Sequence, residues 1–298
     1  METNYDYMYF EVSTNGTYWT TIDTYNGNQN SWVQKSYSLN SYLGEQSVSL
    51  RFRFYSDYSV IADGMYIDDF NINKTTDLNI KAFLEGPFEG TTMNTSLNSD
   101  YLLPLNQPYN TAPWNYSGDE SVTSIPNADI VDWVLIEVRD ANNPESSDAS
   151  STIDRMAALL LTNGSVVNID GSNLLEFQKQ IIQNMYIVVR HRNHLDIISS
   201  GSPIESGGNF NYDFTTNENQ AYGGTAAQKD LGGGVFGLIG GDGNADNVID
   251  NADKTNIWQL ISGKRGYDPA DYNMNGQINN QDKNDVWQIN SNEASQVP

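Results

Sequence analysis

Asp242, Asn244, Asp246 and Asp253 stand at positions 1, 3, 5 and 12 of a twelve-residue stretch, and Asp271, Asn273, Asn275 and Asp282 repeat that spacing 29 residues later. Side-chain oxygens at alternate positions of a turning segment converge on one point, and hard oxygen donors in that number suit Ca²⁺. The carbonyls of Val248 and Gln277 fall at position 7, and Asp250 and Asn279 at position 9, where such loops supply further oxygens. Position 6 needs a positive φ for the sharp turn. Gly276 adopts it freely and Asn247 is the next best residue. The chemistry expected is the binding of two Ca²⁺. Loop one offers carboxylates at 242, 246 and 253, with Asp250 further out, and loop two only those at 271 and 282, so loop two should release its ion first.

The frame around these loops is itself repeated. Asp250–Leu260 (DNADKTNIWQL) and Asn279–Ile289 (NNQDKNDVWQI) share their second, fourth, fifth, ninth and tenth residues, and Asp242, Asn244 and Ile249 recur as Asp271, Asn273 and Ile278. Each loop is expected to enter a short helix, Asp253–Ile261 and Asp282–Ile289, with Ile249, Ile278, Trp258 and Trp287 turned inward. This pair resembles a type I dockerin: two EF-hand-type loop–helix repeats with Asp rather than Glu at position 12. The resemblance implies two bound Ca²⁺ and, in cellulosomal relatives, docking onto a cohesin. The helix-start pair that often carries cohesin recognition as Ser-Thr is here Asn251-Ala252 and Asn280-Gln281. Val235–Ile239 reads as a strand running straight into the first loop, so the repeats are expected to dock onto the rest of the chain.

The elements that must position these loops read as β structure. In residues 1–76, Tyr7, Tyr9 and Glu11 alternate with Met8, Phe10 and Val12, Asn15-Gly16 marks a hairpin turn, and a strand follows from Tyr18 to Ile22. Val48, Leu50, Phe52 and Phe54 alternate with Ser49, Arg51 and Arg53, giving an apolar and a basic face, and a last strand is predicted over Met65–Ile72. The phrases Tyr9–Ile22 (YFEVSTNGTYWTTI) and Asp63–Ile72 (DGMYIDDFNI) resemble the closing strands of a MAM-like jelly roll, about the second half of such a domain. Half a sandwich leaves open strand edges, which upstream strands or another chain would complete. A third cation site is expected near Asp63 and Asp68, with Asp57 and Asp69 as neighbours. Asp68 and Asp69 would face opposite sides of the strand.

Residues 77–241 predict strands at Leu78–Leu84, Ile130–Arg139, Ala157–Thr162, Ser165–Ile169, Met185–Ile198 and Val235–Ile239, a hairpin at Asn163-Gly164, and one short helix over Leu174–Asn184. Pro104, Pro108, Pro113 and Pro126 place a long loop region around Trp114. The phrases PWNY, VDWVLIEVRD and YIVVRHRNHL resemble a β-sandwich module near the C-termini of large secreted Bacteroidetes-type proteins. The fold class expected is therefore mainly β: two β-sandwich modules, 1–76 and 77–241, followed by a small α-helical dockerin-like module at 242–298.

Composition sets the outer limits. The 298 residues carry 15 Lys+Arg against 38 Asp+Glu, a net charge of -23, which opposes nucleic-acid binding because phosphate needs a dense basic surface. No Cys is present, so disulfides, zinc-thiolate sites and thiol nucleophiles are excluded, and no apolar run approaches the ~20 residues of a membrane helix. A composition rich in Asn (37 residues), Ser, Thr, Gly and Tyr fits a secreted bacterial protein. Nothing near Met1 resembles a signal peptide, so either a leader has been removed or the chain starts inside a longer protein. His191 and His194 would face opposite sides of a strand, no H-E-x-x-H frame exists, and Arg190–His194 is expected to be a polar strand end that fixes neighbouring loops. Neither G-x-S-x-G nor a phosphate-binding G-x-x-x-x-G-K-[ST] occurs. Trp19, Trp32 and Trp114 are candidates for stacking on sugars. The expectation is a non-enzymatic, calcium-stabilised structural or adhesive surface protein, extracellular, with open β edges suited to a fibre subunit built by strand complementation. The alternatives are a cohesin-binding or carbohydrate-binding region accessory to a secreted enzyme.

Overall fold

Alternation of apolar and polar residues in three short runs builds the first sheet. In the computed structural model, which describes residues 1–42, 44–57, 64–72, 76–206 and 209–298, the chain divides into two compact units, Met1–Ile72 and Asn73–Pro298. The first unit holds β1 (Tyr7–Ser13), β2 (Thr20–Asn26) and β3 (Ser49–Tyr55) in the antiparallel order β2-β1-β3. Asn15-Gly16 turns the β1–β2 hairpin as expected: Gly16 takes φ +69°, and the Asn15 side chain accepts from the Thr17 and Tyr18 amides.

The register places Phe10 opposite Phe52 and Glu11 opposite Arg51. On one face Phe10 stacks on Phe52 with ring centroids 4.8 Å apart, and Phe70 meets both edge-on. On the other, buried Glu11 accepts from Arg51 Nε at 2.7 Å and Arg53 Nη2 at 2.9 Å. Those two guanidinium groups lie over Trp19 and Tyr9. The hydrogen bonds from Arg53, then Arg51, hold the Glu11 carboxyl down at about 2. Met65–Ile72 is not the strand the sequence predicts. Asp69 takes φ +52°, which breaks an extended run, so the opposite-faces argument for Asp68 and Asp69 lapses. Asp63 lies outside the described residues.

The second unit is organised around a twelve-residue strand that is buried almost throughout. Its strands are β4 (Thr76–Lys81), β5 (Ile130–Ala141), β6 (Thr152–Leu161), β7 (Ser165–Val167), β8 (Leu175–Phe177), β9 (Asn184–Arg190), β10 (Ile197–Ile198), β11 (Ile204–Ser206), β12 (Asn209–Asp213), β13 (Lys229–Gly232) and β14 (Val235–Gly237). Nine of them form one sheet in the order β10-β9-β5-β6-β7-β4-β12-β11, with β8 branching from β4, and β13 pairs with β14. The fold is mainly β, with curled sheets. β5 and β6 pair along most of their length, and Trp133, Leu135 and Ile136 of β5 are fully buried. Tyr109 and Pro104, from the proline-rich loop, close over β5 through Tyr109 Oη to Trp133 O (2.8 Å) and Trp133 Nε1 to Pro104 O (2.9 Å).

Two expectations fail here for reasons of period and pairing. Leu174–Asn184 is not a helix: Leu175 and Phe177 are buried, Glu176 is exposed, and the three residues pair with β4. Met185–Ile198 is not one strand: β9 ends at Arg190, and β10 folds back antiparallel so that Ile197 pairs with Val189. The intervening residues form the turn that carries both histidines. No helix among the described residues is long and apolar enough to cross a membrane.

Candidate metal centre

Residues 242–298 pack against the sheet through a second apolar core. Leu195 and Ile239 come from the β domain, and Ile249, Tyr272, Ile278, Val286 and Trp287 from the repeats. Ile249 and Ile278 are fully buried between the loops, as their spacing predicts, and short helical segments follow at Asp253–Ile261 and Asp282–Trp287.

Within each loop the hydrogen bonds from main-chain amides to side chains repeat one for one. Asp242 accepts from the amides of Asp246 (3.1 Å) and Asn247 (2.9 Å), as Asp271 does from Asn275 (3.1 Å) and Gly276 (2.8 Å). Asp253 accepts from Asn244 (3.2 Å) and Asp250 (2.8 Å), as Asp282 does from Asn273 (3.1 Å) and Asn279 (2.8 Å). Asn244 and Asn273 each accept from the amide two residues on, as do Asp246 and Asn275. Asp250 and Asn279 turn to the helix starts, accepting from Ala252 and Gln281. Asn247 and Gly276 at position 6 have φ of +69° and +77°. Ala245 and Met274 at position 4 are also left-handed, at +56° and +57°, a feature the residue types do not announce.

The two repeats are tied by exchange. After each helix the chain crosses to the other loop. Gly263 and Lys264 bond Ile278 of loop two, at 2.7 and 3.0 Å, and Asn292 and Glu293 bond Ile249 of loop one, at 2.7 and 2.9 Å. Trp258 Nε1 donates to Asn279 O and Trp287 Nε1 to Asp250 O, both at 2.9 Å. Lys254 lies over the Trp287 ring and Lys283 over that of Trp258, at 4.8 and 4.9 Å. Every one of these contacts maps onto its counterpart by the 29-residue offset, so the repeats are related by an internal pseudo-twofold.

Electrostatically each loop is an anion pair out of water. Asp242, Asp253, Asp271 and Asp282 are at most 1 % exposed. Burial, then the Asp253 charge, pushes the Asp242 carboxyl up to about 8. Burial pushes Asp271 up to about 6, with Arg192 opposing the rise. Asp253 and Asp282 are raised by burial too. Among the described residues no three His, Asp or Glu side chains gather into a metal-holding group. A cation here would take the buried Asp242 and Asp253 with the Asp246 carboxylate, Asn244 and the Val248 carbonyl in loop one, and the buried Asp271 and Asp282 with Asn273, Asn275 and the Gln277 carbonyl in loop two. An all-oxygen, anionic donor set fits Ca²⁺ and not a softer metal.

The histidine turn is where the β domain grips the repeats. His191 and His194 are in contact, Nδ1 to Nδ1 at 3.0 Å, and not on opposite faces, because the strand ends before them. His191 Nε2 meets Asp132 Oδ2 at 3.2 Å, and His194 Nε2 accepts from the Gly86 amide at 3.3 Å. Arg192 donates through Nε to Asp132 (2.9 Å) and through Nη1 to the Asp268 carbonyl (2.5 Å), and lies over the Tyr267 ring. Tyr267 Oη donates to Asp132 Oδ1 at 2.7 Å, and Asn193 Nδ2 to Asp271 O at 2.8 Å. Burial lowers both imidazoles below the usual range, so they are neutral links between loops. The expectation that Arg190–His194 fixes neighbouring loops is met, and the loops include the metal-site candidate. Spacing alone gave no signal for Asp132 or Tyr267.

Comparisons with known proteins are sparse. No protein-family profile matches the chain. A 70-residue stretch, 23 % of the chain, is 36 % identical to part of bacillopeptidase F of Bacillus subtilis (strain 168), and spans 5 % of that protein's length. Among solved structures, a type II cohesin–X-dockerin complex from Acetivibrio cellulolyticus aligns with 74 % of this chain and 96 % of that one. Identity is 10 % and the TM-score 0.33.

Proposed function

We propose that the chain is a non-enzymatic, extracellular structural or adhesive segment whose last 57 residues form a dockerin-like pair of Ca²⁺ sites. The observation that carries this is the duplicated pair of buried aspartates, Asp242 with Asp253 and Asp271 with Asp282, each set among further side-chain and main-chain oxygens. Two carboxylates brought together out of water repel, and a divalent ion removes the repulsion, so its binding energy becomes folding energy. Loop one has the higher anionic charge and faces Asp196, whereas loop two faces Arg192. Loop two therefore releases its ion first. A non-enzymatic role fits the state of His191, His194 and Glu137, which are all committed to buried hydrogen-bonded networks.

Metal content and melting temperature, with and without chelator, test this reading. Two Ca²⁺ per chain are expected, one lost in Asp242→Ala and the other in Asp271→Ala, with a lower melting temperature after chelation. Unchanged melting on chelation, with metal content intact in both variants, overturns it.

A fibre role is favoured by one feature of the first unit. β2 and β3 are the outer strands of a three-stranded sheet, and Phe54, Tyr55 and Val48 at the β3 edge are exposed. Electron microscopy of the concentrated protein should show filaments, and a strictly monomeric chain at all concentrations removes this part of the proposal.

A further inference from the structure

β5 carries a buried carboxylate in the middle of an apolar strand, and three arginines surround it. Glu137 accepts from Arg139 Nη2 at 3.0 Å and Arg190 Nη2 at 3.1 Å, and Arg155 Nε lies 3.1 Å away. Arg190 also pairs with Asp196, which is buried. A cleft of about 370 Å³ opens over this group. Its lining is mixed in kind: the aromatic Trp114, the charged Arg155, Arg190 and Asp196, and Ala245 and Asn247 of loop one. Trp114 packs edge-on against buried Tyr109, and its carbonyl accepts from Arg155 Nη2 at 3.1 Å. Asn247 Oδ1 accepts from the Asp196 amide at 3.3 Å, so the metal-site candidate and the cleft share Asn247.

The chemistry of the lining selects among ligand classes. An apolar ligand would cut the charged groups off from water without satisfying them. A simple anion would find Arg155 and Arg190 already engaged with Glu137 and Asp196, and would leave Trp114 unused. Hydroxyl groups both donate and accept, which is what a lining of mixed guanidinium, carboxylate and amide groups needs. We propose that this cleft binds a saccharide, with one ring's C–H face against Trp114 and its hydroxyls on Arg155, Arg190, Asp196 and Asn247. We further propose that Ca²⁺ in loop one holds Asn247 in place. This second clause rests on the calcium reading above.

Calorimetric titration of the full chain with cellotetraose, xylotetraose, mannotetraose and tetragalacturonate, in Ca²⁺ and in chelator, tests both clauses. The metal content of each sample is measured in parallel. At least one sugar is expected to bind at one site per chain in Ca²⁺, and about tenfold or more weaker in Trp114→Ala. Asn247→Gly keeps the positive φ that the loop turn needs, so it should retain two Ca²⁺ yet weaken the sugar. Chelation should abolish sugar binding. Absence of binding to all four sugars, or binding unaltered in both variants, overturns the cleft. Sugar affinity unchanged by chelation in a protein that holds two Ca²⁺ overturns the coupling and leaves the calcium sites standing. Sugar binding in a protein that takes up no Ca²⁺ even in Ca²⁺-containing buffer overturns the calcium reading and leaves the cleft.

Discussion

The indole N–H of Trp287 donates to the main-chain oxygen of Asp250, a residue of the other repeat, at 2.9 Å. Trp258 makes the same bond to Asn279. Each repeat's helix thus fixes the ninth position of its partner's loop, and the two loops share one support.

Trp287→Phe removes that donor and part of a buried ring. A loss of about 1–3 kcal/mol in stability is expected. Calcium titration should show the larger fall in affinity at loop one, although the substitution lies in repeat two. A weakening confined to loop two contradicts the cross-support.

The pH dependence without metal has a definite sign. Asp242 titrates near 8 in the folded chain, against about 4 for an ordinary carboxyl. Between those values the folded state holds the extra proton, so stability falls as pH rises from about 4 to about 8. Asp271, near 6, adds to the lower part of that window. In chelator the urea midpoint should therefore decline across this range. With saturating Ca²⁺, which competes with the proton for the same oxygens, the decline should largely vanish. A midpoint in chelator that rises from pH 5 to 8 contradicts the buried-anion account.

Gly86 tests how loop two is seated. A Cβ there would lie 1.7 Å from the Tyr272 carbonyl oxygen, an overlap that only main-chain movement relieves. Gly86→Ala should cost at least about 1–3 kcal/mol and expose residues 264–298 to limited proteolysis. Gly201→Ala, where a Cβ meets nothing within 4 Å, is the matched control and should leave the digestion pattern unchanged.

Local chemistry was legible in the sequence and long-range pairing was not. The oxygen spacing singled out Asp242 and Asp271, which the fold buries, and the glycine and asparagine at position 6 announced their own φ, because both depend on residues a few positions apart. Ala245 and Met274 gave no such notice: neither residue type favours φ > 0, and the loop imposes it. Leu174–Asn184 looked helical because three residues are too few for a period of two to stand out, and pairing with β4 decided the matter. The charged residues of β5 give no local signal for a related reason. Asp132 and Glu137 sit in a run whose apolar neighbours dominate, and their partners, Arg192 and Arg190, lie more than fifty residues away along the chain.

The exchange between repeats bears on how such a unit is built. One 29-residue copy alone would leave its loop without the crossing segment and without the indole donor, since both come from the other copy. Two separate copies could satisfy each other completely, face to face, as identical subunits do about a twofold axis. Joining them in tandem converts what would be a concentration-dependent dimer into an intramolecular one, so the pair assembles at any dilution.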